Sequence, residues 1–263
     1  MPLPFILGAA AIFGAAKTID SLDTMSRAKS INREAQEIAD EAKNKYESTK
    51  RSCQSTVENL GKTKVYIKST SIKNFRESFL QIHNLPYEYN VKMNELREEA
   101  INDDKLMRNV ESFGFSDFAV IGTAGYLLGA LNPITIAFSG LILGDKADTA
   151  LYNAKSNRDK ARHYQEQCKS ACSFLNTVSA IGNQTKNTLD KWNEKFIPTV
   201  RELQNIVSYY GTDYRKYSYD IKQKIRQSYD LSDAIRQILN TPILTEDGKK
   251  INSKIQRLIE NYS

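Results

Sequence analysis

FAVIGTAGYLLGALNPITIAFSGLILG, residues 118–144, is the stretch whose reading decides the fold. It runs for 27 residues without a charge in a chain that is 26% charged. Five glycines punctuate it: Gly122, Gly125, Gly129, Gly140 and Gly144. Gly125/Gly129 and Gly140/Gly144 have the small-xxx-small spacing that lets helix backbones approach closely in lipid. Asn132-Pro133 lies near the middle, and an Asn-Pro pair marks a turn or kink. As one kinked helix the stretch would be about 40 Å long, enough to cross a bilayer core. As a hairpin turning at Asn132 and Pro133, its arms 118–131 and 134–144 would reach roughly 21 and 17 Å. Neither arm would span alone, so a membrane-inserted hairpin implies a homo-oligomer, with the glycines carrying helix packing. The alternative is a hairpin buried at the centre of a soluble helical protein.

The remainder belongs in water. Mean hydropathy is −0.52 and apolar content 40% over 263 residues, enough for one large or two modest domains. Six prolines and twelve glycines leave long helix-forming runs. The expected fold is all-α: a long-helix bundle or coiled coil with a Gly-rich apolar hairpin and a small C-terminal helical module. Its parts are an apolar segment (1–16), a helical arm (17–116), the hairpin (117–145), a long helix (146–210) and a Tyr/Lys-rich module (211–263). The start, MPLPFILGAAAIFGAAK, has no Lys or Arg before Lys17. A secretory signal needs a basic start, so this reads as a second membrane-seeking segment or a helix tucked into the bundle.

After Lys17 the pattern is helical. Ile31, Ala35, Ile38 and Ala42 recur at helical spacing, and a narrow Ala/Ile seam implies close helix pairing. Ala147, Leu151, Ala154, Ala161, Cys168, Cys172 and Leu175 make a similar seam later, followed by Leu189, Trp192, Phe196, Val200 and Leu203. AKSINREAQE at Ala28 and AKSNRDKARHYQE at Ala154 suggest two helices leaving one apolar layer side by side, in parallel. A shared layer requires a helix break near Gly61, since an unbroken helix to His83 would extend about 100 Å; continuity there would set the two apolar segments far apart. Ile72, Phe75, Phe79 and Ile82 form a core stripe, ended at Leu85-Pro86. A helix over 89–112 should bury Val91, Leu96, Ile101, Leu106 and Val110. In the last stretch, helices are expected over 214–228, 232–240 and 250–261, with Thr212 or Asp213 as N-cap.

Net charge is +6 and the pI about 9.0. Nine Lys or Arg against two Glu lie between Lys43 and Arg76. Lys62, Lys64, Lys68, Lys73 and Arg76 are candidate contacts for an anion or nucleic acid, against the reading of a solvated helix face. Tyr214, Arg215, Lys216, Tyr217 and Tyr219 interleave aromatic and basic side chains, as single-stranded nucleic acid requires; tyrosines sealing short helices are the plainer reading.

No catalytic motif is present: no phosphate loop, dinucleotide fingerprint, GxSxG or HExxH. Glu98/Glu99 and Asp103/Asp104 are neighbours on a helix and diverge, so the chain does not read as an enzyme and calls for no cofactor. Three cysteines, Cys53, Cys168 and Cys172, form no disulfide framework and suggest a reducing compartment. His163-x4-Cys168-x3-Cys172 matches no common zinc spacing, so no metal is expected.

GLILGDKADTAL (140–151), GTDYRKYS (211–218) and LNTPILTEDG (239–248) resemble a family of uncharacterised bacterial helical proteins with a Gly-rich central hairpin. That resemblance covers about half the chain and implies no particular activity. In layout alone the chain is similar to small membrane effectors of anti-phage defence, such as the channel effector of the Hailong system, which single-stranded oligodeoxyadenylate holds closed. The expectation is a membrane-associated effector at the inner membrane, facing the cytoplasm, forming an oligomeric pore or channel. Its partners would be the lipid bilayer, further copies of itself, and a single-stranded oligonucleotide or a regulatory protein. A cytoplasmic coiled-coil adaptor with a buried hairpin, and a single-stranded nucleic-acid-binding regulator, are the alternatives.

Overall fold

The computed structural model describes residues 19–108, 147–245, 248 and 250–262. Every regular element among them is helical: α1 (Ile19–Ile67), a π-helical turn (Lys68–Ile72), α2 (Lys73–Phe79), α3 (Tyr87–Arg108), α4 (Ala147–Tyr210), a 3-10 turn (Tyr214–Lys216), α5 (Tyr219–Asn240) and α6 (Ser253–Tyr262). The all-α expectation holds, as do the long helix ending at 210 and the small helical module after it. The Gly-rich hairpin, with Gly122, Gly125, Gly129, Asn132, Pro133, Gly140 and Gly144, lies outside the described residues, as does the segment 1–16. No described helix is long and apolar enough to cross a membrane.

The described chain forms two compact units, one from residues 19–45 and 147–169, the other from 46–108 and 170–262. In the first, α1 and α4 pair through small side chains. Ala28 packs with Ala150 and Ala154, flanked by Ile31 and Leu151; Ala35 and Ala39 pack with Ala161, flanked by Ile38 and Tyr164. The contacts advance together along both helices, so the pair is parallel, as the matching AKS segments suggest. Asn157 Nδ2 donates to Asn32 Oδ1 at 3.2 Å across the seam. A polar pair inside an apolar seam selects register and direction at a cost in stability. Glu34 faces Arg158 and Arg162, each at 3.7 Å; half-exposed, these pairs add little.

The second unit has a conventional core. Ile72, Phe75, Phe79 and Ile82 are all buried, as the stripe requires, and Leu189, Phe196, Val200 and Leu203 bury the matching face of α4. Rings gather at the centre: Phe75 stacks on Phe79 at 5.2 Å, Phe196 lies 5.7 Å from Phe75, and Tyr229 sits 5.4 Å from both Phe79 and Tyr89. Gly182 permits a close crossing, since a Cβ there would stand 3.2 Å from the Thr56 methyl.

Three expectations need correction. Gly61 does not break the helix: α1 runs through it to Ile67. A helical glycine costs about 1 kcal/mol relative to alanine, and Leu60 and Val65 on either side are buried, so packing outweighs that preference. By the length argument, continuity at Gly61 counts against one shared apolar layer, while the parallel pairing of α1 with α4 counts for it; the two apolar segments themselves lie outside the described residues. Residues 219–240 form one helix, not two; Ser228 and Ser232 look like a break in sequence but are buried in contact with the rest of the unit. Asp213, one of the two expected caps, does cap the new start at Tyr214, which is a 3-10 turn; Ser218 caps the helix that follows by accepting from the Ile221 N–H. Val91 and Ile101, expected in the core, are exposed; Leu96 is buried as expected, and Leu106 and Val110 have no described side chains.

Candidate functional site

The basic run does not form one open face. Lys64 is buried, with Nζ donating to the Thr241 carbonyl at 3.2 Å. Burial first, and the Lys68 charge second, pull its ammonium down to about 7. Lys68 and Arg76 converge instead on Asp103, at 2.9 and 3.0 Å. Arg76 and Asp103 are themselves buried. Lys62 and Lys73 remain toward solvent and pair one turn along their own helix with Glu58 and Glu77. Three of the five candidates therefore act inside the molecule, and no anion-binding surface collects all five.

The aromatic-basic corner is built where α4 ends. Gly211 takes φ 75°, which glycine adopts without strain, and stops α4. Asp213 then accepts from Arg215 through backbone and guanidinium and from Asn84 Nδ2 at 3.0 Å. Those hydrogen bonds hold its carboxyl well below the usual carboxylate range. The His83 N–H donates to Thr212 O and the Tyr214 N–H to His83 O, tying this corner to the segment between α2 and α3. Tyr217 is buried and its hydroxyl donates to Gly211 O. Tyr214 packs edge-on against Tyr217 and under Lys222. Of the three candidate tyrosines only Tyr219 is exposed, as are Arg215 and Lys216. Tyr209 and Tyr210, at the end of α4, are exposed as well. Arg215 is engaged by Asp213, and Lys224 by Glu202. The corner offers aromatic surface with much of its charge already matched.

The charged constellation that sequence reasoning missed lies on α3. Glu99 accepts from Arg236 Nε and Nη2, both at 2.7 Å, and from Asn240 Nδ2 at 3.3 Å. One turn further, Asp103 takes Lys68 and Arg76. The divergence of Glu98 from Glu99 and of Asp104 from Asp103 is real; each pair has one inward member and one exposed one. The available signal was the four-residue spacing of Glu99 and Asp103, which places both on one face. Their partners, 137 residues away for Glu99 and 27 and 35 away for Asp103, leave no local trace.

Chemically, the arrangement holds charge inside the second unit. Cys53, Cys168 and Cys172 are buried and form no disulfide, and burial pushes the Cys53 thiol up. No group of three or more metal-ligating side chains occurs among the described residues. Fold and site define an all-α protein of paired long helices with an interior charge network. No protein-family model, curated protein or solved structure matches the chain.

Proposed function

We propose that the chain is a membrane-associated helical effector whose apolar segments assemble, in several copies, into a pore or channel, in a defence role of the kind its layout suggests. The observation that supports this reading most is the parallel pairing of α1 with α4. Ala28 meets Ala150 and Ala154 near the first residues of both helices. The sequences preceding those helices, 1–16 and 118–144, are the two apolar stretches of the chain, so both are joined to the same end of one helix pair. Small side chains in the seam allow close approach, and the apolar stretches would supply the lipid-facing part. Liposome flotation of the purified full chain, with sizing in and out of detergent, tests this. Co-flotation that Gly125→Leu weakens, with helix content unchanged, is expected. A monodisperse protein that stays with the soluble fraction would favour the scaffold alternative.

A second reading is supported by the exposure of Tyr209, Tyr210, Arg215, Lys216 and Tyr219 between the end of α4 and the start of α5: this segment would stack bases of a single-stranded oligonucleotide. Affinity should then fall steeply with salt and drop on Tyr219→Ala. Binding indifferent to both would remove it.

A further inference from the structure

The two halves of α3 are held by different forces. Its first half buries Tyr89, Met93 and Leu96 against the aromatic centre of the second unit. From residue 97 to 105 no apolar side chain is buried; Ile101 points to solvent, and the only buried residue is Asp103. That half is attached through Glu99 and Asp103, one turn apart, seated in a notch made by Lys68, Arg76, Arg236 and Asn240. An ionic seat of this kind differs from an apolar one. Removing one partner from a buried pair costs much, but the docked pair itself adds little net stability, because both charges were hydrated before docking. The notch is also imperfectly filled. Arg236 Nη1 has no hydrogen-bond partner among the described residues, though it ion-pairs with Asp233 at 3.8 Å, and the α5 hydroxyl of Ser232 has none either. A partly satisfied buried network favours its docked form less than a complete one.

We infer that residues 97–108 form a releasable strap, seated on the Lys68/Arg76/Arg236/Asn240 notch by Glu99 and Asp103, which undocks as a piece. The hinge for this motion is not at Pro86, where the first half of α3 is anchored by Tyr89, Met93 and Leu96. It falls in the turn after Leu96.

Hydrogen exchange on the full chain without lipid tests the strap. With Glu99→Gln and Asp103→Asn combined, amides of 97–108 should exchange roughly tenfold faster or more, while 87–96, α2 and α5 keep their protection. The charge exchange Glu99→Arg with Arg236→Glu should restore protection over the strap. Unchanged exchange in the neutralised variant, or loss of protection spread equally over α2 and α5 with no recovery in the exchanged pair, would overturn the proposal.

Discussion

Lys64 shows how one residue can be legible in type and misleading in role. In sequence it is one cation of a run; in the fold its ammonium is enclosed and donates to the carbonyl of Thr241. Its proton is held up to about pH 10.4 in an unfolded chain but only to about 7 when folded. Between those values the unfolded state binds more protons, so this residue's contribution to stability rises with pH. Below about 7 the penalty of a buried charge acts in full. Lys64→Met should therefore stabilise the fold at about pH 6 by roughly 1–4 kcal/mol, and the gain should shrink as the pH approaches 10. Urea midpoints of both proteins across that range check the sign; a gain that grows with pH would contradict it. Nothing near Lys64 in sequence announces burial, because its partner is 177 residues away.

Among the elements, periodicity served where apolar packing does the holding and failed where charge does. The Ala seams, the stripe from Ile72 to Ile82 and the large residues of α4 were all readable from spacing. In α3 the same logic assigned Val91 and Ile101 to the core, yet the face that turns inward there carries Glu99 and Asp103. The π-helical turn at Lys68–Ile72 was likewise not foreseen; its Thr70 hydroxyl donates back to the Tyr66 carbonyl at 2.7 Å, a competition with the backbone that short hydroxyl residues offer. The parallel pairing of α1 and α4 makes a direct prediction. Ala161 is fully enclosed between Ala35 and Ala39, so Ala161→Leu has no room without separating the helices. It should destabilise the first unit by roughly 1–3 kcal/mol, seen as an earlier loss of helical circular dichroism on heating.

At the scale of the whole molecule, the division into two units has an observable consequence. Trp192 is the only tryptophan, and it belongs to the second unit, where its indole N–H donates to the Tyr262 carbonyl. Its fluorescence therefore reports one unit, while circular dichroism reports both. The two signals should give non-coincident transitions, the signature of a departure from two-state unfolding. In Ala161→Leu the gap should widen, with the fluorescence midpoint unmoved to within about 0.5 kcal/mol; a joint shift of both signals would show one cooperative body. The organisation into long helices and a C-terminal module was visible from glycine and proline placement. The division near Tyr46 and Ser170 was not, since α1 and α4 each run through both units without a break.

The π-helical turn carries one more implication. Eight residues separate Lys68 from Arg76, and on an uninterrupted α-helix that interval overshoots two revolutions by about 80°. A wider turn takes up an additional residue and cancels the overshoot, bringing both cations round to the same azimuth. The irregularity thus acts as a phase corrector: without it, a single carboxylate at Asp103 would be in reach of one of those two side chains and angularly out of step with the other.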